Sequence, residues 1–164
     1  MRIVCIIQAR LTSTRFPRKV LEKVGGKSMI SRVCEAARNS QLVDKVIVAW
    51  AHKFPHLDEN NVLGRFREIA LREQADIVVR LTSDCPLLTS VWIDNAIAQF
   101  RLGNGEYFSN HTDGYDVQVF YHTFLYSHFT HTEHVIDDMT TPVTGLSVNT
   151  PDDLARVREL CETK

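Results

Sequence analysis

The hydrophobic positions of this chain alternate between short apolar runs and stretches in which apolar residues recur at helical spacing. Apolar or β-branched runs at 2–8, 45–51 and 77–81 predict three strands, and the first has the unbroken character of a strand buried in a parallel sheet. Helical spacing predicts one helix after a cap at Ser28 and another over 62–74. This order of strands and helices predicts a parallel sheet covered by helices.

The second half of the chain continues the alternation with weaker signals. Thr89 or Ser90 is expected to cap a third helix, which Gly103 ends. Residues 115–121 alternate in the manner of a strand, and a further short strand is predicted at 146–148.

The last helix has a clear start signal in the word TPDDL. Thr150 is expected to cap it, Pro151 to occupy its first turn, and Asp152 and Asp153 to face the positive end of the helix dipole. The chain of 164 residues contains no internal repeat, low-complexity stretch or linker. We therefore expect residues 1–164 to form a single compact domain.

Composition narrows the class of protein without naming a function. Hydrophobic residues make up 44% and charged residues 24%, which is typical of a globular protein. The apolar start at 3–7 is too short to span a membrane and lacks a signal-peptide pattern, so we expect a cytoplasmic protein with no membrane partner. Four cysteines without metal-type spacing predict reduced, mostly packed thiols.

The net charge of −1 conceals a strongly cationic head. Residues 1–40 carry nine Lys and Arg against two Asp and Glu, whereas the rest of the chain carries ten against eighteen. The head lacks the interleaved aromatic residues of a strand-stacking surface, and the acidic remainder would repel a long polyanion. The pattern therefore argues against nucleic acid as a partner and favours a small phosphate ligand.

Residues 8–19 concentrate this charge in a polar loop after the first predicted strand. Arg10, Arg15, Arg18 and Lys19 supply cations, and residues 12–14 supply small hydroxyl groups. Ligands of open α/β sheets collect beyond the carboxyl ends of the strands, where this loop begins. Without glycine, the loop is neither a GxxxxGK[ST] phosphate loop nor a GxGxxG fingerprint. It predicts an anion cradle, with a solvated basic loop as the alternative.

Seven sequence words carry a resemblance to a known family. They are IIQARLTSTRFPRKVL (6–21), NVLGRF (61–66), VVRLTSDCPLL (78–88), YFSN (107–110), DGYDVQVF (113–120), TEHV (132–135) and VNTPDDL (148–154). In this order they resemble the cytidylyltransferases that activate sugars, most of all the spore-coat polysaccharide group, and also the acylneuraminate and 3-deoxy-manno-octulosonate enzymes. The resemblance implies an α/β protein with the Rossmann-like nucleotide-diphospho-sugar transferase fold, a mostly parallel sheet with helices on both faces.

The same resemblance implies an activity. The expected enzyme is a nucleotidyltransferase of polysaccharide biosynthesis that converts CTP and a sugar, expected to be acidic, into a CMP-sugar and pyrophosphate with Mg²⁺. The family also implies a homodimer. The alternative is a nucleotide-binding module of the same fold that has lost transfer activity. Two segments that are shorter than in relatives, at 51–61 and 135–145, motivate this alternative.

Roles for individual residues also follow from the resemblance. Arg10 and Lys19 are expected to contact the phosphates, and Asp116 to position the acceptor hydroxyl. Asp84 matches the metal-binding aspartate of the family, whereas Asn149 stands where relatives carry a second metal-binding aspartate. The residues expected to wrap the nucleotide are Ala9, Leu11, Thr12, Ser13, Thr14, Arg15 and Ser83.

Several of these positions have a plain structural alternative. Arg15 either assists at the phosphates or braces the loop, and Asp113 either lines the sugar pocket or forms a turn. Asn61 and Arg65 either border the base or sugar site or begin a helix.

A cluster of histidines suggests a weaker alternative, a zinc site. Their spacing suits one helix face only loosely, and the word TEHV accounts for part of the cluster through the family resemblance. The histidines concerned are His122, His128, His131 and His134.

Overall fold

The computed structural model describes residues 1–127 and 146–162 of the chain. Its strands are β1 (Ile3–Ala9), β2 (Lys23–Val24), β3 (Lys27–Ser28), β4 (Lys45–Trp50), β5 (Ile77–Thr82), β6 (Tyr107–Ser109) and β7 (Gln118–Tyr121). Five of them form one sheet in the order β4-β1-β5-β7-β6. β1 pairs in parallel with β4 and β5, whereas β7 pairs antiparallel with β5 and β6. The sheet is therefore parallel on one side and antiparallel on the other.

The helices of the described ranges are α1 (Met29–Arg38), α2 (Val62–Arg72), α3 (Ser90–Leu102), α4 (Phe124–Ser127) and α5 (Pro151–Glu162), with short 3-10 turns at Lys19–Leu21 and Ala51–Lys53. Each of them is too short or too polar to span a membrane.

Helices cover both faces of the central sheet. Cys5 and Ile7 of β1 pack on one face with α1 and α3, and Val4 and Ile6 pack on the other face with α2 and α4. Because β1 is buried on both faces, its sequence is an unbroken apolar run rather than an alternating one. The expectation of a mostly parallel sheet with helices on both faces is confirmed, because four of the five strands run in one direction and β7 alone among them is reversed.

Beside the sheet, β2 and β3 form a small antiparallel hairpin that packs against α5. Gly25 and Gly26 turn the hairpin with φ angles of 54° and 79°, a region that favours glycine. Val24 of the hairpin shares a buried cluster with Val148 and with Leu154 of α5. This cluster holds the segment before α5 next to the basic loop.

The predicted starts of α1 and α5 are confirmed by side-chain contacts. Ser28 Oγ accepts a hydrogen bond from Ser31 N at 3.3 Å. At α5, Thr150 Oγ1 accepts from Asp153 N at 3.3 Å, and Asp153 Oδ2 accepts from Thr150 N at 2.9 Å. The second pair is a reciprocal cap of the kind that the word TPDDL indicates.

Two strand predictions are wrong in ways that matter for the site. Residues 146–148 form no strand, because Val148 N donates to Asp84 O at 2.9 Å, beyond the end of the sheet. The strand predicted from residue 115 begins only at Gln118, because Val117 N donates to Asn110 Oδ1 at 2.9 Å and Gly114 turns the chain with φ 81°. Both segments are loops, and both face the carboxyl end of β5.

The start of α3 also differs from the simplest expectation. Thr89 occupies the cap position but makes no side-chain cap hydrogen bond. Gly103 ends the helix as predicted.

Candidate functional site

Five loop segments meet at one edge of the sheet, which we call the carboxyl edge. Three of them follow the parallel strands β1, β4 and β5 and therefore emerge on the same side. The loop at 110–117 joins them because β7 runs antiparallel to β5. The segment at 146–150 completes the set through the backbone bond from Val148 to Asp84.

The basic loop after β1 closes on itself through its own backbone. Arg18 N donates to Leu11 O at 2.8 Å, and Arg18 adopts a left-handed conformation with φ 57°. Ser13 is buried, and its hydroxyl accepts a hydrogen bond from Phe16 N at 3.4 Å. Ser13 thus shapes the loop.

The remaining residues expected to wrap the nucleotide take different places along the carboxyl edge. Ala9 is buried as the last residue of β1, whereas Thr12 and Thr14 are exposed on the loop. Ser83 is buried, and its N–H donates to Gln8 O at 3.2 Å across the ends of β5 and β1.

The two arginines of the loop contact neighbouring segments of the carboxyl edge. A guanidinium N–H of Arg10 donates to Asn60 Oδ1 at 3.0 Å, and one of Arg15 donates to Asn149 Oδ1 at 3.5 Å. Arg15 therefore braces the loop against the segment before α5. A ligand at the carboxyl edge would therefore meet the positive charges of both arginines.

Lys19 lies at the centre of the site, where three oxygen atoms surround its ammonium group. Lys19 Nζ donates to Asp84 Oδ2 at 2.8 Å, to Val148 O at 2.7 Å and to Asn149 Oδ1 at 3.3 Å. The structure therefore joins three residues that the family words indicate separately: Lys19, Asp84 and Asn149. Carboxylate, amide and carbonyl oxygens are also the ligands that hard divalent cations prefer.

The charge of Lys19 controls the protonation of Asp84. Partial burial of Asp84 acts to raise its pKa, but the Lys19 charge and hydrogen bonds from Lys19 and Thr82 outweigh burial and lower the pKa below its ordinary value. Asp84 is therefore an anion at neutral pH, paired with the Lys19 cation.

A buried thiol separates two carboxylates of the site. Cys85 Sγ lies 3.9 Å from Asp84 Oδ1 and 3.8 Å from Asp116 Oδ2. The same sulfur contacts Thr82 Oγ1 at 3.2 Å and Ser147 Oγ at 3.5 Å. Burial, followed by the charges of Asp84 and Asp116, raises the pKa of Cys85 to about 12. The thiol therefore stays protonated.

Asp116 has a pKa shifted in the opposite direction from that of Asp84. Burial raises the pKa of Asp116, and the negative charges of Asp113 and Asp84 raise it further. A carboxylate with a raised pKa is a stronger proton acceptor, which is the property expected of a group that positions or activates an acceptor hydroxyl.

The loop that carries Asp116 is held by its neighbours. Asn110 Nδ2 donates to Tyr115 O at 2.7 Å, and Gly114 N donates to Ser147 Oγ at 3.0 Å. Asp113 Oδ2 accepts from Leu146 N at 3.2 Å, so Asp113 ties the loop to the segment before α5. This contact supports a structural role for Asp113 in the turn rather than a place in the lining of the sugar pocket.

A polar group that the sequence patterns did not indicate lies beneath the site. Arg80 is buried, and its guanidinium donates to Gln8 at 2.9 Å and to Gln118 at 3.1 Å. These contacts join β1, β5 and β7 beside the carboxyl edge. The sequence signal that could indicate Arg80 is a charged residue within the apolar run of β5.

Other candidate residues lie outside the cluster around Lys19. Asn61 Oδ1 caps α2 by accepting from Gly64 N at 2.8 Å, and the buried Arg65 donates to Glu59 O at 2.7 Å. Both residues thus build the start of α2.

The zinc alternative gains no support from the part of the chain that can be described. His122 follows β7, and its N–H donates to Asp76 O at 3.0 Å, at the edge opposite Lys19. The other three histidines and the word TEHV lie outside the described residues. Within 1–127 and 146–162, no three His, Cys, Asp or Glu side chains cluster as a metal site.

The central sheet in the order β4-β1-β5-β7-β6 thus carries a polar cluster around Lys19 and Asp84 at its carboxyl edge. Residues 4–56 of the chain match the family model described as cytidylyltransferase. This range runs from β1 through the basic loop to the end of β4 and beyond. The resemblance to cytidylyltransferases is thereby confirmed.

Two curated proteins with similar sequences carry the same description. A 3-deoxy-manno-octulosonate cytidylyltransferase of Geobacter sulfurreducens is 35% identical over 112 residues, which cover 60% of this chain and 45% of the relative. One of Geobacter metallireducens is 37% identical over 112 residues, with 60% and 44% covered. The chain thus spans less than half the length of these relatives.

Two solved structures share the fold of this chain. A cytidylyltransferase from Leptospira borgpetersenii has a TM-score of 0.67 at 24% identity, with 99% of this chain and 73% of that chain covered. CMP:2-keto-3-deoxy-manno-octonic acid synthetase complexed with CTP has a TM-score of 0.74 at 18% identity, with 99% of each chain covered. The predicted Rossmann-like nucleotide-transferase fold is confirmed.

Proposed function

We propose that this protein is a cytidylyltransferase that transfers CMP from CTP to a sugar and releases pyrophosphate. The observation that supports it best is the contact of Lys19, at the end of the basic loop, with Asp84 and Asn149 at the carboxyl edge. The similarity to 3-deoxy-manno-octulosonate cytidylyltransferases favours CTP as the nucleotide and an acidic sugar as the acceptor.

The proposed reaction is an in-line displacement at the α-phosphorus of CTP. The acceptor oxygen forms a bond to this phosphorus while the bond to the bridging oxygen of the β-phosphate breaks, and pyrophosphate leaves with the electron pair. Asp116 accepts the proton of the acceptor hydroxyl, which its raised pKa favours. Arg10 and Lys19 meet the charge that develops on pyrophosphate.

The oxygen atoms around Lys19 also fit a magnesium site. Three oxygen atoms lie within 3.3 Å of Lys19 Nζ and so converge on one position: Asp84 Oδ2, Asn149 Oδ1 and Val148 O. Mg²⁺ is commonly held by one or two carboxylates together with waters and substrate phosphates, so one carboxylate suffices here. When bound, the ion would neutralise phosphate charge at the site of transfer.

The rest of the basic loop is proposed to surround the triphosphate. Thr12, Thr14 and Arg15 of this loop are exposed, so their hydroxyl and guanidinium groups are accessible to a ligand. By family analogy, two copies of the chain are expected to form a homodimer.

A second candidate function is a nucleotide-binding module without transfer activity. Asn149 supplies no negative charge to the proposed magnesium site, where the family resemblance implies a second aspartate. A weaker metal site lowers transfer more than it lowers nucleotide binding.

Pyrophosphate release tests the proposal directly. With CTP, Mg²⁺ and a panel of acidic and neutral sugars, wild type is expected to release pyrophosphate with at least one sugar. Lys19→Ala and Arg10→Ala should each lower kcat/KM by roughly 10²–10³-fold, because each removes a group aimed at developing charge. Arg101→Ala, which removes an exposed arginine at the end of α3, is the matched control and should keep wild-type activity.

Nucleotide-dependent melting separates the two candidate functions. CTP should raise the Tm of the wild type more than ATP, GTP or UTP do, because a ligand stabilises the state that binds it. A CTP-dependent shift without pyrophosphate release on any sugar would favour the binding module. If no nucleotide shifts the Tm, both functions are excluded.

A further inference from the structure

We propose that the Lys19 ammonium occupies the position at which a divalent ion would bind in this site, which we call the cation position. The ion therefore binds there only after the triphosphate has drawn Lys19 away. This inference rests on the proposed function, because it assigns Lys19 a second role in the same site. It also assigns the main-chain carbonyl of Val148 as a ligand of that ion.

The N–H donors of Lys19 match the acceptors that surround them. An ammonium group has three N–H donors, and three oxygens surround Lys19 Nζ at 2.7 to 3.3 Å. In this arrangement every N–H of the group is engaged by Asp84, Val148 or Asn149. Lys19 therefore has to release these oxygens before it can donate to a phosphate.

The local charge also favours Lys19 at this position. Asp84 supplies the one negative charge among the three ligands, and Lys19 neutralises it. Only 13% of the Lys19 side chain and 23% of the Asp84 side chain is exposed, so solvent screens the pair weakly. A divalent ion could enter this position only by displacing the ammonium group. The ion would then still lie beside the positive charge of Lys19. Binding of the ion is therefore opposed as long as Lys19 stays.

The Lys19 side chain can also move away from this position. Its flexible four-carbon stem lets the ammonium change position by side-chain rotation, and the residue stands at the start of the short turn Lys19–Leu21, at the end of the basic loop. A triphosphate bound by that loop would bring negative charge that attracts Lys19. The three oxygens would then be open to a divalent ion, and the added phosphate charge would favour the ion as well.

Asn149 is the residue that makes this exchange possible. Its Oδ1 accepts from both Lys19 and Arg15, so the amide oxygen already lies in cationic surroundings. An aspartate at this position would add a second negative charge to that of Asp84. With asparagine, the charges of Asp84 and Lys19 balance, and Arg15 adds a further positive charge until the nucleotide arrives. The chain thus couples metal binding to nucleotide binding more tightly than a two-carboxylate site would.

The inference is tested by measuring Mn²⁺ binding with electron paramagnetic resonance in the absence of nucleotide. Lys19→Met keeps the length and apolar stem of the side chain but removes the charge. We expect Lys19→Met to bind Mn²⁺ about tenfold or more tightly than the wild type, because no cation repels the ion. Addition of CTP to the wild type should recover most of this gain. Lys23→Met is the matched control, since it removes an exposed lysine of β2 and should leave Mn²⁺ binding unchanged.

Two further variants locate the binding and control for folding. The double variant Lys19→Met/Asp84→Asn should lose the gain, because the sole carboxylate ligand is gone. Lys19→Gln should behave as Lys19→Met does, and Mn²⁺ should raise the Tm of both single variants while leaving that of the wild type unchanged.

Equal or weaker Mn²⁺ binding by both folded single variants would overturn the inference. So would wild-type binding that is as tight without CTP as with it. If CTP fails to shift the Tm of the wild type, the proposed function fails, whereas the nucleotide-free comparison of Lys19→Met with the wild type still decides the inference.

Discussion

Asp84 and Asp116 are two aspartates on either side of one thiol, and their environments separate their protonation. Lys19 lowers the pKa of Asp84, whereas burial and two neighbouring carboxylates raise that of Asp116. Asp84 is thus held as an anion that can face a cation, and Asp116 is held as a base. This division of roles is a property of the contacts, because both residues are ordinary aspartates in the sequence.

Asp116→Asn tests the raised pKa through the pH dependence of stability. A carboxyl group whose folded pKa is raised contributes stability below its unfolded pKa and loses that contribution as pH rises through the folded pKa. The wild type therefore carries the cost of a disfavoured charge at neutral pH, and Asp116→Asn removes it. We expect a higher Tm for Asp116→Asn than for the wild type at about pH 8, with the difference gone by about pH 3. Melting curves across this range measure it.

Glu106→Gln serves as the comparison for Asp116→Asn. It neutralises an exposed carboxyl group in the turn before β6 and should change the Tm little at any pH. A Tm of Asp116→Asn that stays below the wild type at every pH would contradict the assignment.

Prediction from the sequence succeeded for single residues of the site and failed for their contacts. The family words indicate Lys19, Asp84 and Asn149 one by one, and the structure places these residues together. Cys85 and the Val148 carbonyl were missed. A buried thiol and a main-chain oxygen carry no recognisable sequence signal, because their role depends on which side chains surround them.

Among the elements, α5 connects the stability of the fold to the site. Its first residues form the reciprocal cap of Thr150 and Asp153, and the segment just before it supplies Val148 and Asn149 to Lys19. The start of α5 is therefore where helix capping and site geometry meet.

Removal of the Thr150 hydroxyl should weaken the fold by an amount typical of a helix cap. We expect Thr150→Ala to lower the free energy of unfolding by about 1 kcal/mol, because the N–H of Asp153 loses its acceptor. Urea denaturation followed by circular dichroism measures the change.

Thr89→Ala is the internal control for the cap. Thr89 stands at the cap of α3 without a side-chain cap hydrogen bond, so its loss should cost clearly less than that of Thr150. Equal losses in the two variants would show that the Thr150 contact contributes nothing particular to stability.

Elements with strong local signals were predicted well, and elements that depend on partners were not. β1, α1 and α5 follow from an unbroken apolar run and from capping residues, which act over a few positions. The short strand at 146–148 fails because a strand needs a neighbour with free backbone groups, and Val148 instead bonds to Asp84 O beyond the sheet. The antiparallel placement of β7 is likewise a matter of pairing rather than of its own sequence.

Across the whole molecule, packing decides which of the four cysteines can react. Cys5, Cys34 and Cys85 are buried, whereas Cys161 on α5 is partly exposed. Burial raises the pKa of Cys5, Cys34 and Cys85, which further slows their reaction as thiolates.

We expect the native protein to react rapidly with a thiol reagent at Cys161 alone. In denaturant all four cysteines should react, because burial is lost. Absorbance after addition of a chromogenic disulfide counts the fast thiols, and Cys161→Ser should abolish the fast phase. More than one fast thiol in the folded protein would contradict the packing of α1, β1 and the site described above.

The sequence by itself determined the elements, the helix caps, the cationic loop and the family words, because each of these depends on residues that are close along the chain. Only the tertiary structure decided that Lys19 meets Asp84, 65 positions away, and Asn149, 130 positions away. Contacts over such separations depend on strand order and on the packing of α5, which no local pattern encodes. The cation position at the carboxyl edge is therefore a product of the fold.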